Sequence, residues 1–202
     1  VIDRREEDVP VGERAIAGSI ASGHEADEGE LVRAALAKPE AFDLLYHRYR
    51  ARIYWYLRTR TATDEDAADL TQQTFLQAWN ALPRYQQRGA PFAAWLFRIA
   101  HNLSLNAARH QYQMLEWSAL PEAIQGRAAF NPEDIALRNE TIARLRELID
   151  ALDPQKREML ALRFIAGLTI REIAVVLGIG EEALKKRLLR TIRVLKEQFD
   201  EQ

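Results

Sequence analysis

Cysteine is absent from the 202 residues, so neither a disulfide framework nor a cysteine metal site can form. Four scattered histidines do not replace it, and no metal or other cofactor is expected. No apolar run approaches the roughly 20 residues needed to span a bilayer, and the first segment is acidic where an export signal would be basic and then apolar. A soluble protein of the cytoplasm, without membrane insertion, is therefore expected. A phosphate-binding glycine loop and a nucleophile beside a positioned base are also missing, which argues against an enzyme. Excess positive charge is lacking as well, since the formal net charge is -2. A whole-chain sum nevertheless hides the distribution that governs binding. Residues 1–30 hold nine acidic and three basic side chains, whereas residues 181–196 hold six basic and two acidic ones.

What is present is helical period, and no strand pattern competes with it. Residues 1–30 mix Gly, Ser, Ala and acid without that period and are read as a disordered tail. From residue 31 to 112 the apolar positions recur at helical spacing, with Phe42, Leu45, Tyr46, Tyr49, Ile53, Tyr54 and Leu57 on one stripe. A second helix is predicted from Thr63-Asp64-Glu65-Asp66, whose acids suit a helix amino end, through Trp79 to Leu82, where Pro83 helps to stop it. The polar stretch from Arg84 to Ala90 reads as a loop. Pro91 suits the first position of the next helix, which turns Phe92, Trp95, Leu96, Ile99, Ala100 and Leu103 inward. The period fails between residues 113 and 131, where Pro121 and Gly126 interrupt it, so this segment is read as a flexible linker. A last domain then occupies residues 132–202, with helices near Ile135–Ala151, Pro154–Ile165, Thr169–Leu177 and Glu181–Phe199. The fold class expected is all-α, with two small helical domains on either side of that linker.

The end of the chain carries the sharpest local signal. Thr169 and Glu172 have the spacing of a reciprocal capping box. Gly178 is placed to end that helix in the left-handed conformation, leaving Ile179 to brace the turn. In the following helix Leu184, Leu188, Thr191 and Leu195 share one face, and Lys185, Lys186, Leu189, Arg190 and Arg193 fall elsewhere. This is a helix-turn-helix whose second helix fits a major groove. Arg187 sits nearer the apolar side and is expected to pair with an acid.

Two separate stretches point to one family. The run Asp66-Ala67-Ala68-Asp69-Leu70-Thr71-Gln72-Gln73-Thr74-Phe75-Leu76-Gln77-Ala78-Trp79, followed by Phe92-Ala93-Ala94-Trp95-Leu96-Phe97-Arg98-Ile99-Ala100-His101-Asn102, resembles region 2 of extracytoplasmic-function (ECF) sigma factors. The segment Leu152-Asp153-Pro154-Gln155-Lys156-Arg157-Glu158 and the helix-turn-helix from Gly167 to Arg190 resemble their region 4. The likeness runs over residues 31 to 200, and it implies a bacterial promoter-specificity subunit. By that resemblance Asp69, Gln72, Gln73 and Phe75 dock on the clamp coiled coil of the largest subunit of core RNA polymerase. Tyr85, Arg88, Arg98, Asn102, Asn106 and Arg109 meet the opened -10 element, where an unstacked base needs an aromatic surface and a few amide or guanidinium groups. Arg171, Lys185, Lys186, Leu189 and Arg190 meet the -35 element. The polymerase flap and an anti-sigma factor are the further partners implied, beside promoter DNA.

Glu181, Glu182 and Ala183 depart from the family pattern ahead of the basic cluster. Two acids favour the helix dipole but repel nearby phosphate. Two other readings stand beside the sigma factor: a stand-alone helix-turn-helix regulator that binds duplex DNA unaided, and an adaptor that binds protein only.

Overall fold

The computed structural model of the chain describes residues 28–86, 90–110 and 132–201. Most of the expected tail and linker, and Arg88 in the expected loop, lie outside these. The chain divides into two compact units, one ending at Leu45 and the other beginning at Tyr46. The first holds helix α1, residues 28–37, whose start falls inside the segment expected to be tail, and a 3-10 turn at Pro39–Ala41. Val32 and Ala35 are buried there.

Helix α2, Phe42–Arg58, leads into the second unit. Helix α3 spans Asp64–Ala81, with the Thr63 side chain accepting the Asp66 amide at its amino end and three acids in its first turn. That cap satisfies a donor left over by helix geometry, and the acids face the positive end of the dipole. A 3-10 turn at Leu82–Arg84, with Pro83 inside it, closes the helix. Helix α4 runs Phe92–His110, and the Pro91 carbonyl accepts its first backbone bond from Trp95. Pro91 thus stands one position before the helix.

The core of this amino block is dense in aromatic rings. Tyr49, Ile53, Tyr56 and Leu57 of α2 are buried, as are Leu70, Phe75 and Ala78 of α3 and Phe92, Leu96, Phe97 and Ala100 of α4. The inward stripe of α4 is rotated from the one expected: Phe97 and Ser104 are buried, while Trp95, Ile99 and Leu103 are only half-buried. Period alone fixes that a helix has an apolar side, and the neighbours fix which edge of that side is sealed.

The carboxyl block comprises α5 (Pro132–Asp150), α6 (Pro154–Leu160), α7 (Ile170–Leu177) and α8 (Glu181–Asp200). Asp153 caps α6 by accepting the Lys156 amide, and α6 runs on into a π-helical turn over Ala161–Ile165. The capping box of α7 forms in both directions, and Gly178 ends the helix at φ 67°, in the left-handed region that glycine adopts without penalty. The Ile179 amide then reaches back to the Ala174 carbonyl at 3.1 Å, which closes the turn. Helix α8 buries Leu184, Leu188, Thr191 and Leu195, as its spacing predicts. Arg144 of α5 ties down the far end of α8, donating to the Phe199 carbonyl at 2.5 Å with its guanidinium 4.8 Å from the Phe199 ring.

The two blocks are not independent. Helix α7 packs directly on α4, so what the sequence presents as two modules on a strap also shares a folded interface.

Candidate functional site

Three polar surfaces stand out on these scaffolds. On α3, Asp69, Gln72 and Gln73 are exposed, held in place by the buried residues on the opposite side of the same helix. Phe75 does not join them. It is 5% exposed and meets the Tyr46 ring edge-on at 4.8 Å, so it belongs to the core. The apolar part of the surface comes instead from Leu76 at 61% and Trp79 at 41% exposure. Their signal was in the sequence, since Gln72, Leu76 and Trp79 recur at spacings of four and three and so share a face.

On α4, Arg98, Asn102 and Asn106 are exposed at successive spacings of four, one ridge along the helix. Arg109 continues the same helix, with its side chain outside what the structure describes. Tyr85 is half-buried rather than free. Its ring packs at 5.6 Å from Phe92 and 4.9 Å from Trp95, and its hydroxyl donates to the Ala90 carbonyl at 3.1 Å. It closes an aromatic cluster at the amino end of α4.

On α8, Lys185, Lys186, Leu189 and Arg190 are all exposed, Leu189 at 57%, and Arg171 projects from α7. Arg187 is also exposed, and it makes no ion pair among the described residues. The pairing expected for it is therefore not formed; it lines a cavity of about 340 Å³ between the blocks, together with Leu105, Met159 and Ile179. Among the described residues no helix is long and apolar enough to cross a membrane.

The sequence reading missed a fourth feature altogether. Glu158, on α6, is 7% exposed and is surrounded by polar groups of the amino block. Its Oε1 accepts the Tyr56 hydroxyl at 2.6 Å and lies 3.0 Å from His101 Nδ1, and its Oε2 is ion-paired with Arg60. Arg60 also donates to Ser104 Oγ at 2.7 Å, which in turn donates to the His101 carbonyl at 2.7 Å. Burial pushes the Tyr56 hydroxyl above its usual range, against the pull of Arg60, so it remains a donor. Burial first, and then the charges of Arg60 and Arg98, hold the His101 imidazole down at about 4. The neutral ring with its proton on Nδ1 donates to the carboxylate. A second bridge runs alongside: Arg52 Nε donates to the Ala166 carbonyl at 2.7 Å and Nη2 to Gly167 at 3.4 Å.

Comparison with known proteins matches both blocks. The Sigma-70 region 2 model covers residues 45–113, and the Sigma-70 region 4 model covers residues 142–195. The ECF RNA polymerase sigma factor SigD of Mycobacterium tuberculosis is 31% identical over 183 residues, which is 85% of each chain. The chain belongs to the ECF family of RNA polymerase sigma factors. The ECF sigma factor BldN of Streptomyces coelicolor is 34% identical over 167 residues, and the match takes in 82% of this chain but 63% of BldN. Among solved structures, CnrH in complex with the cytosolic domain of CnrY aligns with a TM-score of 0.61 at 29% identity, over 86% of this chain and 97% of CnrH. The sigma factor RpoE of Bartonella quintana, solved with the anti-sigma factor NepR, shares the fold at a TM-score of 0.58 and 20% identity, over 77% of this chain and 94% of RpoE. The stand-alone regulator loses ground here. A helix-turn-helix alone would account for the carboxyl half, whereas the amino half also matches sigma region 2.

Proposed function

We propose that this ECF sigma factor binds core RNA polymerase in the bacterial cytoplasm and directs initiation at promoters that it reads through their -10 and -35 elements. The observation that carries the reading is the display of three separate polar surfaces on rigid helices at the positions of the family motifs. Asp69, Gln72 and Gln73, with Leu76 and Trp79 beside them, form a mixed amide, acid and apolar surface suited to a basic partner helix such as the clamp coiled coil of the largest subunit. The ridge of Arg98, Asn102 and Asn106 offers guanidinium and amide groups to phosphates and to the edges of unpaired bases, with Tyr85 and Arg88 near its start. Lys185, Lys186 and Arg190 offer donors to guanine and phosphate in the major groove, with Leu189 among them for apolar contact and Arg171 as a backbone clamp.

The chain supplies no catalytic group to this process; bond formation belongs to the polymerase, and the carboxyl block also engages its flap. A protein inhibitor that covers these surfaces is a further partner, a reading supported by the structure of CnrH in complex with the cytosolic domain of CnrY.

Reconstitution tests the function. Core polymerase with this chain should initiate at a subset of promoters, while the chain alone should bind duplex DNA feebly. Lys185→Ala and Arg190→Ala should lower transcription where the -35 element is needed, each lost base contact being worth about 1–3 kcal/mol of discrimination. Tight sequence-specific binding by the chain alone would favour an unaided regulator.

A further inference from the structure

The arrangement of the two blocks sits awkwardly with promoter binding, on the reading just given. Helix α4, with the -10 ridge, packs on α7, and α7 packs on α8, which carries the -35 face. Packed helices lie about 8–10 Å apart, so two such steps separate the α4 and α8 axes by no more than about 20 Å. Elements about 25 base pairs apart on B-form DNA, at about 3.4 Å per step, are separated by on the order of 85 Å. The packed form cannot reach both, although its contact faces are exposed. The blocks must come apart, and whatever holds them together sets how readily they do.

We infer that Glu158 is the latch. It is the one acid of the carboxyl block that the described structure buries among polar groups of the amino block, where Tyr56, Arg60 and His101 converge on its two oxygens. A charge in that position is stable only while all its partners are present, because burying a carboxylate demands compensation at each oxygen. Separation of the blocks returns Glu158 and Arg60 to water, where each is solvated without help. The latch is therefore strong when closed and leaves no buried unpaired charge when open, which suits a two-state switch better than a permanent joint. Arg52 at the carbonyls of Ala166 and Gly167 adds a second, charge-to-dipole contact across the same interface. Opening by a ligand that binds only the separated form, such as polymerase with promoter DNA, then follows as a shift of population.

Absence of cysteine makes the test direct. Cysteines placed at the exposed positions Asn80 and Gln198 carry a donor and an acceptor dye, and single-molecule energy transfer is read on the full chain without polymerase or DNA. The wild type should show a predominant high-transfer population. Glu158→Ala should move most molecules to low transfer, Glu158→Gln should fall between, and Lys156→Ala, an exposed neighbour on the same helix, should leave the distribution unchanged. Far-UV circular dichroism establishes that helix content is kept. Arg52→Ala provides an independent entry from the opposite block and should also raise the low-transfer fraction. If the latch holds nine molecules in ten closed and its loss leaves nine in ten open, binding that requires the open form tightens about ninefold. A wild type already at low transfer, or a helical Glu158→Ala chain with the wild-type distribution, overturns the proposal. A chain that opens as expected but neither binds polymerase nor supports transcription sinks the sigma reading and leaves the latch standing.

Discussion

Tyr56 and Glu158 meet through a 2.6 Å hydrogen bond across 102 positions of sequence, the phenol donating and the carboxylate accepting. The same ring stacks edge-on against Phe97 at 5.6 Å. Hydroxyl and ring therefore have different tasks, one toward the carboxyl block and one within the amino block.

Tyr56→Phe separates them. The ring and its packing are kept, while Glu158 loses one of its donors. A hydrogen bond to a charged group contributes about 1.5–3 kcal/mol, so the closed population should fall measurably but less than in Glu158→Ala. The doubly labelled chain described above provides the measurement, and an unchanged distribution would show the hydroxyl to be dispensable.

His101 gives the interface a pH dependence. Its ring is held at about 4 in the packed form, against an ordinary value of 6.5. Burial is the largest cause and is relieved where the carboxyl block withdraws, while Arg60 and Arg98 stay beside the ring, so the separated form binds more protons over the upper part of this range. The contribution of His101 to closure is complete above pH 6.5 and is lost as pH falls toward 4. The Glu158 carboxylate pulls the other way, but it is shared with Arg60 and Tyr56. Following the imidazole by NMR from pH 7.5 to 4.5 tests the sign, and titration at or above 6.5 would mean that the Glu158 charge governs the ring.

Phe75 and Leu76 are neighbours with opposite tasks. Phe75→Ala removes a buried ring and should cost about 3–5 kcal/mol in urea unfolding. Leu76→Ala, on an exposed site, should stay within about 0.5 kcal/mol of wild type. Polymerase affinity should show the reverse order of directness: Leu76→Ala, like Asp69→Ala combined with Gln72→Ala, weakens binding with the fold intact. Unchanged affinity in a pull-down titration for all three substitutions would remove α3 from the polymerase surface.

Two substitutions probe the entry and exit of α7. A Cβ added at Gly178 meets nothing within 4 Å, so Gly178→Ala suffers only the left-handed backbone, roughly 1–2 kcal/mol. Thr169→Ala deletes the side chain that accepts the Glu172 amide and should cost about 1 kcal/mol. Both are read by urea unfolding. Equal stability of Gly178→Ala and wild type would mean that the turn relaxes out of its left-handed form.

The amino acid order by itself determined the helices and most of their faces. Thr63, Asp153 and Thr169 cap the helices that follow them, Gly178 ends α7, and the Leu184-Leu188-Thr191-Leu195 side of α8 is buried. Each of these depends on groups within a turn or two of one another, so spacing along the chain is spacing in the molecule. The exposure of Asp69, Gln72 and Gln73, and of the ridge through Arg98, Asn102 and Asn106, follows from the same local rule. Tertiary structure alone decided the rest. Phe75 and Leu76 are adjacent apolar residues on one helix, and the neighbours that α3 meets in the fold, Tyr46 among them, made the first core and left the second at the surface. Arg187 lines the same cavity as Glu158 but makes no ion pair with it, since the Glu158 oxygens are engaged by Tyr56, His101 and Arg60. Glu158 reads in the sequence as one more acid on a short helix. Its burial, and the pairing of the two blocks through it, required Tyr56 and His101 to arrive from 102 and 57 positions away. Caps and periods act over a few residues, whereas a buried charge is satisfied only by whatever the completed fold brings within hydrogen-bond reach.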